Sequence, residues 1–174
     1  VFKNAALWLA GVWVAKGGHK NQVYTPSPDG EPPPKAAVAQ WAPEAKRFAI
    51  GQASASLVLA VIEAESRGNS QSVGDNGASF GLGQIQIDTD LDFRRAHGME
   101  DERTFAPVRL LQPAYNVQVL AWTLDNRIRI MGSVQEGLRA YNAGVAGSRR
   151  NGNAGLIYAA GIIARERVYR AAVA

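Results

Sequence analysis

Cysteine is absent from the 174 residues, so neither a disulfide framework nor a thiolate metal site can form. Histidine is almost as scarce, with His19 and His97 far apart in sequence, which removes the usual nitrogen ligands of a zinc centre. Lysine does not recur after Lys46, and every later cation is arginine. No apolar stretch reaches the ~20 residues that cross a bilayer as a helix. Runs of like charge, internal repeats and strand-like alternation of useful length are missing too. Together these absences exclude thiol chemistry, a helical membrane span and a basic tail of the kind that binds nucleic acid.

What is present is a chain of single-domain size with 47% apolar residues, enough to build a core. A formal charge of +4 fits an anionic partner, whether a cell-wall polymer, nucleic acid or a lipid surface. Residues 1–20 hold an apolar run from Ala5 to Ala15 between Lys3 and Lys16. With no small-residue cleavage site after it, this run is expected to be a docked helix or a retained anchor. Residues 21–35, NQVYTPSPDGEPPPK, carry five of the eight prolines and read as a linker. From Ala36 to Ala174 the period is helical, broken at Gly51, at 68–79, near Gly98, around Pro107 and Pro113, at Gly132 and from Gly144 to Gly155. The expected fold is therefore a mainly α domain with an N-terminal arm.

One helix carries a candidate for chemistry. In SASLVLAVIEAES, residues 54–66, the spacing of Val58, Val61, Ile62 and Glu65 puts all four on one helix face. Glu63, about 200° around the axis from Glu65, is expected to face solvent. A carboxyl group held against apolar side chains has its charged form disfavoured, so it stays protonated near neutral pH and can act as a general acid. The competing reading makes Glu65 a polar residue of the last helical turn, where the helix dipole slightly disfavours an acid. The following loop, GDNGASFGLGQI at 74–85, supplies four glycines that let the backbone approach a bulky ligand, with Phe80 and Gln84 available for stacking and hydrogen bonding. Its Gly-x-Gly at 81–83 is not a dinucleotide fingerprint, because no strand precedes it and the third glycine is missing.

Four stretches in order, ES at 65–66, GASFGLGQI at 77–85, LLQPAYNVQVLAW at 110–122 and LRAYNAG at 138–144, resemble the motifs of the soluble lytic transglycosylase family. GDNGASFGLGQIQID at 74–88 and YAAGIIARERVYR at 158–170 also resemble goose-type lysozymes, which share the lysozyme-like fold and a single catalytic glutamate. The resemblance implies that Glu65 protonates the oxygen between N-acetylmuramic acid and N-acetylglucosamine and then acts as base. In a transglycosylase the attacking group is the sugar's own 6-hydroxyl; in a lysozyme it is water. By the same resemblance Ser66, Phe80, Gln84, Ile85, Tyr141 and Asn142 would contact the glycan, and Tyr158 would aim its hydroxyl at Glu65. Gly83 stands where the family usually has methionine, which alters one wall of the site.

Asp75 and Asp88 match aspartates of the goose type and would position water. Read from the residues alone, Asp88, Asp90 and Asp92 are N-cap and first-turn charges. They also begin like a calcium loop, but Phe93 and Met99 occupy its glycine and closing-acid positions. The arginines at 149, 150, 165, 167 and 170 read mainly as a solvated helix face. No metal and no cofactor is expected. The expected partner is the peptidoglycan glycan strand, met outside the cytoplasm or from a virion, with residues 1–35 a tether to a larger phage or envelope assembly. A non-catalytic glycan-binding or structural protein is the rival expectation, and nucleic-acid binding is not expected.

Overall fold

The computed structural model describes residues 34–100 and 102–174 in full and, before them, the backbone of Leu7–Leu9 and Val12–Val14. Contacts divide the chain into Val1–Pro33 and Pro34–Ala174. In the first unit β1 (Leu7–Leu9) pairs antiparallel with β2 (Val12–Val14), Trp8 opposite Trp13. Over these six residues the chain is strand where a docked helix or anchor was one expectation, in keeping with the β preference of Val and Trp. The rest of that expectation, and the linker up to Pro33, lie outside the described residues.

The second unit is mainly helical. Short α1 (Ala36–Ala39) and α2 (Ala42–Phe48) lead to α3 (Ala55–Ser66). Three two-residue strands follow, β3 (Val73–Gly74), β4 (Ser79–Phe80) and β5 (Ile85–Gln86), forming an antiparallel sheet in that order. Then come α4 (Ile87–Ala96), α5 (Ala106–Leu110), α6 (Pro113–Met131), α7 (Val134–Ala143), α8 (Val145–Arg150) and α9 (Leu156–Arg170). Strands this short carry no readable alternation, which is why periodicity passes over the sheet. Among the described residues no helix is long and apolar enough to cross a membrane.

Local chemistry sets the helix ends. Ser54 caps α3 by accepting from the Leu57 amide at 3.1 Å, and Ser133 caps α7 by accepting from the Glu136 amide at 3.2 Å. The breaks expected around Pro107 and Pro113 are helix starts, the two prolines opening α5 and α6, where the missing N–H costs nothing. Gly132 closes α6 in the left-handed conformation, φ 85°. Within the expected break from Gly144 to Gly155, α8 forms a short helix of its own.

The core is built around α3, which packs along α9 and touches α2 and α6, while α6 lies along α7. Leu57, Val58, Leu59, Ala60, Val61 and Ile62 are all buried, so α3 is enclosed on nearly every side. Glu63 is buried as well, only 7% exposed, which corrects its expected place in solvent. It is accommodated because α9 and Lys35 supply partners: Lys35 at 2.7 Å, the Tyr169 hydroxyl at 2.8 Å, and Arg165 in close contact. Burial alone would raise its pKa, but the charges of Arg165 and Lys35 and the hydrogen bonds from Lys35 and Tyr169 outweigh it and hold the carboxyl below its ordinary range.

Candidate active site

Glu65 is the last residue but one of α3, two positions before the chain reverses through Arg67, φ 56°. Unlike Glu63 it has no cation at its carboxylate among the described residues. The Tyr158 hydroxyl on α9 donates to its Oε1 at 2.6 Å. Burial is the main influence on this carboxyl and raises its pKa; the Tyr158 bond opposes the rise, the negative charge of Asp75 adds to it, and the result is about 7. The group is thus divided between acid and carboxylate at neutral pH, as a catalyst that both gives and takes a proton requires.

Two phenols stand beside it. Tyr158 and Tyr141 are both pushed well above the ordinary tyrosine range, first by burial and then by the Glu65 charge. Both therefore remain protonated. Tyr141 on α7 donates to the Gly83 carbonyl at 2.6 Å, which joins α7 to the β4–β5 turn. Asp75, in the β3–β4 turn at φ 49°, has Oδ2 fixed by the Ser79 hydroxyl at 2.6 Å. Glu65, Tyr158, Tyr141 and Asp75 are thus brought together from four separate segments.

Other expected residues are placed differently. Phe80 and Ile85, 7% and 2% exposed, belong to the core rather than to a glycan surface, because their sheet packs that face inward. Ser66 is buried, donates to the Ile62 carbonyl at 3.2 Å and accepts from the Gly68 amide at 3.2 Å, so its hydroxyl closes the helix. Gln84 spends its amide hydrogens on the Ser72 and Gly81 carbonyls at 3.1 and 2.9 Å and holds the loop closed. Asn142 is exposed beside Tyr141. Asp88 is exposed and paired with Arg103. Asp90 is bound by Arg109 and Tyr115 at 2.8 and 2.5 Å, and Asp92 by Arg95 at 3.3 Å, so the three aspartates diverge onto separate partners.

Sequence reasoning missed Asn116. It is fully buried on α6, accepts from the Gly83 amide at 2.8 Å and donates to the Phe80 and Leu110 carbonyls at 2.9 and 2.7 Å. Gly81, at φ 73°, turns the loop against this side chain so closely that a Cβ there would collide with Leu110 O and Asn116. An asparagine inside an apolar helical stretch, LLQPAYNVQVLAW, was the available signal, since a buried amide must find partners.

A helical domain whose single activated glutamate sits over a glycine-rich loop is matched by one family model. Residues 44–155 match the Transglycosylase SLT domain. The chain belongs to that family. The domain is lysozyme-like, and family members are lytic transglycosylases that cleave glycosidic bonds of peptidoglycan. No curated protein matches the chain. The matched span includes Glu65, the loop, Asn116 and Tyr141, but ends just before Tyr158.

Proposed function

We propose that this SLT-domain protein is an active lytic transglycosylase that cleaves the β-1,4 bond between N-acetylmuramic acid and N-acetylglucosamine and leaves 1,6-anhydro-muramyl ends. The observation that carries the reading is Glu65 held near pKa 7 by burial, with Tyr158 bonded to one oxygen and the other free. The protonated carboxyl donates to the bridging oxygen as the bond breaks. The resulting carboxylate, steadied by Tyr158, then takes the proton of the 6-hydroxyl as that oxygen closes on the anomeric carbon. Two-carboxylate glycosidases place a second acid across the bond; here one residue serves both steps. Such a substrate lies outside the cytoplasm, and local wall penetration by a phage particle or envelope machine fits the reading. Glu65→Gln is expected to lower lysis of purified cell walls by at least ~100-fold while the fold persists; a variant that lyses walls at the parental rate would sink the assignment.

One observation favours a second reading. Asp75 stands near enough to act electrostatically on Glu65, with Ser79 fixing one of its oxygens. A carboxylate so held suits the orientation of water, and the product would then carry a reducing end, as from a lysozyme.

A further inference from the structure

Gly83 is gripped at both its polar atoms. Its N–H donates to Asn116 Oδ1 at 2.8 Å, and its carbonyl accepts from the Tyr141 hydroxyl at 2.6 Å. The Asn116 amide is anchored in turn by its two donated bonds, to Phe80 and Leu110, so it has no freedom to rotate and holds the Leu82–Gly83 peptide; the Gly83 carbonyl, in the next peptide unit, hangs from the same Cα. A phenol has one proton to donate. With that proton committed to Gly83, the Tyr141 oxygen meets the site only as an acceptor, whereas Tyr158 is committed as the donor to Glu65.

We propose that Asn116 is a positioning residue: acting through the two peptide units that meet at Gly83, it keeps the Tyr141 proton off Glu65 and presents the Tyr141 oxygen to receive an N–H or O–H of the bound sugar. This rests on the reading of Glu65 as the acid, and it concerns which phenol supports that acid. If Gly83 is released, the Tyr141 hydroxyl turns to the neighbouring carboxylate as a second donor and favours the charged form. The groups that act on Glu65 are then Tyr158 from α9, Tyr141 from α7 and Asp75 from the β3–β4 turn, with Arg127 acting on Tyr141 alone.

The test is a carbon-13 NMR titration of the Glu65 carboxyl in the full chain, which needs no activity. Asn116→Ser, too short to hold Gly83, is expected to lower the Glu65 half-titration by about one pH unit. The shift is expected to vanish in Asn116→Ser/Tyr141→Phe. Tyr141→Phe alone is expected to leave Glu65 where it was, since Tyr141 gives it no proton. A half-titration unmoved in Asn116→Ser, or a downward shift that survives Tyr141→Phe, would overturn the proposal. Should Asn116→Ser not fold, Tyr141→Phe decides: a raised half-titration would mean that Tyr141 already donates to Glu65. Loss of the functional reading shows separately, as wall lysis that survives Glu65→Gln.

Discussion

Two glutamates two positions apart in α3 have opposite fates, and neighbouring charge decides between them. Glu63 meets Lys35 and Arg165 and stays ionised, whereas Glu65, with no such cation to oppose its burial, is raised to about 7 by that burial and by the Asp75 charge against the Tyr158 bond. The acid form of Glu65 is present below that value and lost as pH rises through it, so the pH–rate profile is expected to fall on its alkaline side with a midpoint near 7. Tyr158→Phe removes a bond that lowers this pKa and should move the alkaline limb to higher pH. Asp75→Asn removes a charge that raises it and should move the limb to lower pH; shifts in the same direction would show that the two influences are misassigned. The raised pKa also costs stability. The folded value lies above the unfolded one, so the penalty is absent below about pH 4 and complete above about pH 7. Glu65→Gln should therefore be more stable than the parent at pH 8 by ~3 kcal/mol, and equal to it near pH 4, as thermal unfolding at the two pH values would register.

For α3 as an element, periodicity found the face ending in Glu65 but not the one ending in Glu63. A helix enclosed by α2, α6 and α9 is apolar all round, and a stripe then marks one buried face among several. The ion cluster at Glu63 could not be read because Lys35 and Arg165 come from remote sequence. Arg165 thus leaves the solvated face to which its helix period had consigned it. Glu63→Ala takes away the buried carboxylate that Lys35 and Arg165 share and is expected to cost about 3 kcal/mol in urea unfolding; a loss below ~1 kcal/mol would mean that the cluster is effectively solvated. The loop was legible in its glycines but not in its side chains. Phe80, Ile85 and Gln84 lie on two-residue strands or in the turn between them, and which face such a strand buries depends on Asn116 and Leu110 arriving from far along the chain. Tyr158 was found through resemblance alone, since a tyrosine in an apolar helix reads first as core.

At the scale of the whole molecule, a chain of net charge +4 that carries a lysozyme-like helical domain meets a polymer bearing lactyl and peptide carboxylates. Attraction of this kind is screened as the Debye length shrinks from about 10 Å at 0.1 M salt to about 3 Å at 1 M. KM on intact walls should accordingly rise across that range, with kcat on short uncharged glycans little changed; a KM indifferent to salt would assign binding to the cleft alone. The mainly α architecture was legible from period and composition because helices dominate the domain, and the order of four motifs carried the family. The most direct test of the central claim, one glutamate serving as acid and then as base for the sugar's own hydroxyl, is mass spectrometry of the soluble fragments released from purified peptidoglycan. Fragments ending in 1,6-anhydro-muramic acid are the expected result; reducing muramic acid ends, heavier by one water, would contradict it.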